Sequence, residues 1–130
     1  MKKVIIFGGR DFTDEDVMAT CINQVIDDPF ILICGEARGA DRTAKELLEY
    51  NNYEIESYPA DWDTYGKRAG FIRNEQMGDI ADMAIGFWDG QSKGTKHMYN
   101  YMRKLNKPVW VFNYSGELYV DISTPLGLKL

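Results

Sequence analysis

The chain is poor in the residues that staple or metallate small proteins. It holds two cysteines, Cys21 and Cys34, and a single histidine, His97, in 130 residues. Neither cysteine sits in a Cys-x-x-Cys or Cys/His cluster, so no zinc module is expected, nor any other metal or resident cofactor. Cys21 falls in an apolar helix pattern and Cys34 in an apolar strand pattern, which reads as buried free thiols in a reducing cytosol. No apolar run approaches the ~20 residues of a membrane helix. The run Val4-Ile5-Ile6-Phe7 stops at Gly-Gly-Arg-Asp, too soon for a signal peptide, so a cytoplasmic protein is expected. There is no repeat, linker or low-complexity segment. Basic residues are outnumbered as well: fifteen Lys and Arg face twenty Asp and Glu, a net charge of −5. That opposes a general binder of nucleic-acid backbone. It leaves a small anionic ligand open, because local charge can oppose the mean.

What is present suits one packed domain. Hydrophobic residues make up 45% and charged residues 27%, too apolar a balance for disorder. The expected domain spans 1–130, with its core over about 3–112 and a hairpin or tail over 113–130. Short apolar runs predict strands over 4–7, 30–34, 55–58, 83–88 and 109–112, the last opened by Pro108. Continuous apolar character is that of strands buried on both faces. Helical spacing predicts helices over 14–27, from Asp41 onward, over 66–80 with an irregular start, and from Thr95 with Met98, Tyr101, Met102 and Leu105 on one face. Thr13, with Asp16 as capping-box partner, is the expected cap of the first helix, and Thr95 that of the fourth. A turn at Tyr114-Ser115-Gly116-Glu117 predicts a short returning strand at Leu118-Tyr119-Val120, before an irregular end at Pro125 and Gly127. The alternation gives an α/β fold: a mainly parallel five-stranded sheet with helices on both faces.

Such sheets bind ligands beyond the carboxyl ends of their strands, where strand order reverses. The loops at that end read Gly8-Gly9-Arg10-Asp11-Phe12-Thr13, Gly35-Glu36-Ala37-Arg38-Gly39-Ala40-Asp41-Arg42, Pro59-Ala60-Asp61-Trp62-Asp63-Thr64-Tyr65-Gly66-Lys67-Arg68 and Asp89-Gly90-Gln91-Ser92-Lys93-Gly94-Thr95-Lys96. Of six arginines, five (Arg10, Arg38, Arg42, Arg68 and Arg73) lie in or just after these loops. Glycine lets a backbone approach a ligand closely, helix N-termini favour anions, and guanidinium grips phosphate with paired hydrogen bonds. Together these features point to a phosphate-bearing ligand of nucleotide type. Each alone has an ordinary reading. Gly-Gly after a strand is also a tight turn, and Arg beside Asp is also a surface or cap pair. Residues 35–42 match neither dinucleotide-binding nor P-loop spacing. Trp62 and Tyr65 suit stacking on a base or packing at the sheet edge, and Asp89 suits a ribose hydroxyl. His97, in the first turn of the fourth helix, reads as neutral.

Gly8-Gly9-Arg10-Asp11-Phe12, the 35–42 stretch, Pro59-Ala60-Asp61-Trp62, Gly66-Lys67-Arg68-Ala69-Gly70 with Ile72-Arg73-Asn74, and Trp88-Asp89-Gly90 with Gly94-Thr95-Lys96-His97-Met98 resemble the YspA-type (YpsA-related) members of the SLOG superfamily, over about 3–112. Such proteins are common in bacteria and their phages. The resemblance implies a three-layer Rossmann-like fold with strands one and four adjacent and a crevice between Arg10 and the 89–95 loop. It implies a ligand site drawing Gly8, Gly9, Arg10, Asp11 and Phe12 from the first loop, and Gly35, Ala37, Arg38, Gly39, Ala40 and Asp41 from the second. Trp62, Lys67, Arg73 and Asn74 follow from the third region, and Asp89, Gly90, Ser92, Gly94 and Thr95 from the fourth. Arg10, Arg38 and the N–H groups of Gly9, Gly39 and Thr95 would hold phosphate, Arg73 and Lys67 would add charge, Asp89 would hold ribose, and Trp62 would cover the base.

The superfamily includes LOG-type phosphoribohydrolases, DprA-type single-strand DNA binders and sensors of ADP-ribose-like signals, so fold alone selects no function. Arg73-Asn74-Glu75-Gln76-Met77 keeps the Arg and Met of the LOG-type Arg-Lys-x-x-Met stretch, and Gly94-Thr95 survive from its second motif. The position of the catalytic glutamate is Met98. A thioether neither activates water nor stabilises an oxocarbenium ion. The leading expectation is therefore a sensor or sponge for an ADP-ribose-like ligand or nucleoside phosphate. The alternative is an N-glycosidic hydrolase using Arg73 with Glu75 or Glu36, and DNA binding is opposed by the charge. The resemblance also implies a homo-oligomer, with the helix faces bearing Tyr99, Tyr101 and Met102 as candidate surfaces.

Overall fold

The computed structural model describes residues 1–119 and Ile122. Its elements run β1 (Lys3–Gly8), α1 (Glu15–Val25), β2 (Ile31–Cys34), α2 (Ala40–Tyr50), β3 (Ile55–Ser57), α3 (Trp62–Tyr65), a 3-10 turn (Gly66–Arg68), α4 (Ala69–Ile80), β4 (Met83–Phe87), α5 (Lys93–Lys104) and β5 (Val109–Phe112). The five strands form one sheet in the order β3-β2-β1-β4-β5, and every pairing is parallel. As expected, β1 lies beside β4, in a register pairing Val4 with Met83 and Gly8 with Phe87.

Strand periodicity sorts the core. Val4 and Ile6 of β1, Leu32 and Cys34 of β2, and Met83, Ile85 and Phe87 of β4 pack with α1 and α2. The alternate residues Ile5, Phe7, Ile33 and Ala84 pack with Met77 of α4 and Met98, Tyr99 and Met102 of α5. Side chains two apart share a sheet face, so continuous apolar runs feed two helical layers at once. Gly86 makes room for Phe7, its register partner: a Cβ there would meet Phe7 Cζ at 2.5 Å. Cys21 and Cys34 are free and buried, and burial pushes their thiols up to about 11 and about 12. No helix among the described residues is long and apolar enough to cross a membrane.

Several local expectations shift. Asp14, not Thr13, caps α1, its carboxylate accepting from Val17 N at 3.1 Å. Asp16 closes no capping box; its carbonyl accepts the Thr20 hydroxyl at 3.0 Å instead. Ser92, not Thr95, caps α5, which therefore begins three residues earlier. The loop after β3 contains a full helical turn, α3, capped by Asp61 and ended at Gly66 with φ 57°. Beyond β5, Leu118 makes an antiparallel bridge to Phe112, and Tyr119 N–H donates to Val111 O at 2.7 Å. The rest of the expected returning strand, Val120, lies outside the described residues, as do Pro125 and Gly127.

Candidate functional site

The site grows from the point where β1 and β4 end side by side. Gly9 N–H donates to Phe87 O at 3.0 Å, which ties the first loop across the sheet. Gly9 O accepts from Phe12 N and from Ala40 N at 3.1 Å, the latter at the start of α2. Gly39 has φ 77° and sits against the carbonyl groups of Gly9 and Arg10, where a Cβ would collide with both. Only glycine allows this contact and this backbone angle together. The second loop is thereby docked onto the first.

A cavity of about 770 Å³ opens above this junction. The first two loops contribute Gly8, Gly9, Arg10, Asp11, Ala37, Arg38 and Asp41 to its wall. Trp62, Lys67, Arg73 and Asn74 come from the α3–α4 region, and Asp89, Ser92, Gly94 and Thr95 from the loop into α5. These fifteen are the expected site residues that the fold brings together. Five do not line this cavity. Phe12 is buried in the core and stacked on Phe87 at 4.6 Å, and Ala40 is fully buried under the loop junction. Gly39 serves that junction, Gly35 lines a neighbouring cavity, and Gly90 lies in an exposed turn with φ 89°.

Two backbone donors expected to hold phosphate are already engaged. Gly9 N–H is spent on Phe87 O, and Thr95 N–H donates to Ser92 Oγ at 3.3 Å. The buried Thr95 hydroxyl also meets Ser92 Oγ, at 3.0 Å. Asp89 Oδ1 accepts from Gln91 N and Ser92 N at 2.8 Å each, and Trp88 Nε1 donates to Ser92 O at 3.1 Å. These bonds fix the loop from inside. The N–H groups of Lys93 and Gly94, in the first turn of α5, have no carbonyl of their own helix to reach, and both residues line the cavity.

Asp41 and Arg73 face each other at the base. Asp41 is only 6% exposed and accepts from Ala37 N at 3.2 Å. Burial pushes its carboxyl up to about 6, against the opposing pull of Arg73 and the Ala37 N–H. Arg73 donates from Nη1 to Gly35 O and from Nε to Asn74 Oδ1 at 3.1 Å. Burial lowers its pKa from the usual value, with Asp41 opposing, yet a guanidinium stays charged at any physiological pH. Gly35 is required between them: a Cβ would meet Asp41 Oδ2 at 2.6 Å and Arg73 Nη1 at 2.9 Å.

The two glutamates considered as catalytic substitutes are engaged elsewhere. Glu75 Oε2 lies 3.5 Å from His97 Nε2, outside the cavity wall. Glu36 accepts from Lys45 Nζ at 2.9 Å and from Ser57 Oγ at 2.5 Å. Met98, the position of a carboxylate in the hydrolase pattern, lines the cavity as a buried thioether. Burial lowers the pKa of His97 from its usual value, with Glu75 opposing, and the residue lies in the second turn of α5 rather than the first. Tyr99 and Met102 are 4% and 0% exposed inside the subunit core, so they form no surface for self-association. Tyr101 is half-buried and donates to Asp79 at 2.6 Å.

The sequence reading missed Phe7, Gly70, Phe71, Met77 and Lys93 in the wall. Helical spacing held a signal for part of this: Gly70, Arg73, Asn74 and Met77 repeat at i, i+3, i+4 and i+7 and share one face of α4. Phe71 is 45% exposed and stacked on His97 at 4.2 Å, presenting a flat apolar ring beside the polar groups.

The family model described as "YspA, cpYpsA-related SLOG family" matches residues 2–65, which include the first two site loops and α3. The chain is 32% identical over 118 residues to the Gene 61 protein of Mycobacterium phage D29, an overlap of 84% of this chain and 94% of that protein.

Proposed function

The chain belongs to the YspA, cpYpsA-related SLOG family, and from that premise we propose that it binds a nucleotide or nucleotide-derived small ligand beyond the carboxyl ends of its strands, as a sensor or sponge. One observation carries this reading. In a protein of net charge −5, the cavity wall holds five cationic side chains, Arg10, Arg38, Lys67, Arg73 and Lys93, against three carboxylates. Among the described residues no carboxylate lies within 4.0 Å of any of the five. Clustered, unpaired cations repel one another, and a bound phosphate would relieve that repulsion with charge-assisted hydrogen bonds. The open N–H groups at the start of α5 add to the same field. Trp62 and Phe71, 52% and 45% exposed, offer apolar faces to a base. Asp89 keeps Oδ2 for a sugar hydroxyl while Oδ1 holds its loop. The thioether of Met98 supports binding rather than hydrolysis.

A thermal-shift panel of nucleoside phosphates and ADP-ribose tests the proposal. A binder at ~100 times its Kd adds about 2.7 kcal/mol, a rise of roughly 10 °C for a domain of this size. Arg10→Ala and Arg73→Ala each reduce the rise. No shift with any compound overturns the reading. Incubation of nucleoside monophosphates with concentrated protein is expected to release no free base.

A further inference from the structure

A second cavity, of about 410 Å³, adjoins the first. Arg10, Ala37, Arg38, Trp62 and Arg73 line both, so the two meet along that ridge. Its remaining wall is Gly35 and Glu36 of the second loop together with three residues outside the site described so far: Arg42 on α2, and Pro59 and Ala60 just after β3. Four of the six arginines of the chain thus converge on one small space. Burial chiefly lowers the pKa of Arg73, and Arg10 adds a smaller repulsion in the same direction. The one carboxylate in the wall, Glu36, is already neutralised by Lys45 at 2.9 Å and turned to Ser57. Among the described residues no carboxylate stands within 4.0 Å of Arg10, Arg38, Arg42 or Arg73. Arg73 is anchored in place by Gly35 O and Asn74.

A single phosphate carries about two negative charges at neutral pH and accepts the forks of two guanidiniums. Four guanidiniums here, with Lys67 and Lys93 beyond the ridge, exceed what one phosphate can satisfy. We propose that this second cavity is a separate phosphate subsite, and that the ligand is a nucleotide carrying at least two phosphate groups that spans the ridge of Arg10, Arg38 and Arg73. The base and ribose occupy the larger cavity, against Trp62 or Phe71. The distal phosphate occupies the smaller one, where Arg42 meets it. This rests on the nucleotide-binding reading above and narrows its ligand class.

Calorimetric titration with matched nucleoside mono- and diphosphates, for each of the common bases, and with inorganic pyrophosphate separates the possibilities. The diphosphate of the preferred base is expected to bind about tenfold more tightly than its monophosphate. Arg42→Gln removes that gain and leaves monophosphate affinity unchanged. Arg42 is exposed, so the variant retains the melting temperature of the parent. Equal affinity for the two nucleotides, or an equal loss of both in Arg42→Gln, overturns the second subsite and leaves nucleotide binding standing. Failure of every compound to bind overturns both.

Discussion

Asp41 places a carboxyl where water hardly reaches and where the nearest cation, Arg73, stands beyond ion-pair distance. Its pKa rises from 3.8 to about 6 because burial outweighs that attraction. Between those values the folded protein keeps a proton that the unfolded chain has released. The contribution of Asp41 to stability is therefore fully present below the lower value and falls as pH rises through the window. Asp41→Asn keeps an oxygen for Ala37 N–H but cannot ionise. Urea unfolding is expected to show the wild type losing about 2–3 kcal/mol relative to this variant from about pH 4 to about pH 7. His97, its pKa lowered, acts with the opposite sign but equally in both proteins, so the difference isolates Asp41. Parallel pH profiles would show that Asp41 is not the titrating group. The sequence set Arg73 among five arginines in or just after the strand-end loops and Asp41 in the second of those loops, and the fold puts both in the cavity wall. The spent N–H groups of Gly9 and Thr95 were not legible, because the groups that use them, Phe87 O and Ser92 Oγ, are set by backbone approach.

At the level of elements, α5 depends on its first turn. Ser92 Oγ meets both the N–H and the hydroxyl of Thr95, a residue 2% exposed. Ser92→Ala leaves both unsatisfied and is expected to cost about 1–2 kcal/mol in chemical unfolding. Ser92→Asp restores an acceptor and a favourable charge at the helix start, so it recovers most of the loss. A Ser92→Ala midpoint equal to the parent's would remove Ser92 from this role. The strands were readable because burial on both faces writes an uninterrupted apolar run. Caps were harder: Thr13 and Asp14 are adjacent cap formers, and Ser92 and Thr95 stand one turn apart, so local composition permits either. The one-turn α3 is too short to leave a periodic signal, and only the Asp61 cap announces it.

For the molecule as a whole, the net charge of −5 is an average over unlike regions. Cations gather at the carboxyl end of the sheet, while Asp27 and Asp28 follow the end of α1 and Glu54 precedes β3 at the other end. A small anion meets only the first region, whereas a long polyanion must also pass acidic surface. Nucleotide affinity measured by titration is expected to weaken as salt rises, because these exposed cations are screened. A single-stranded oligonucleotide is expected to give no mobility shift at physiological salt.

The adjacency of β1 and β4 joins segments far apart along the chain: Lys3 N–H donates to Asp82 Oδ2 across 79 positions. The first half can order β1, β2 and α2, yet the cavity has no second wall until 83–95 has docked. Closing so long a loop costs more chain entropy than closing the shorter one between β1 and β2. A ligand that needs both walls has nothing to grip in the folding transition state if that docking is incomplete there. Its stabilisation then falls on the unfolding step, so an occupied site makes the protein slower to unfold without making it quicker to fold.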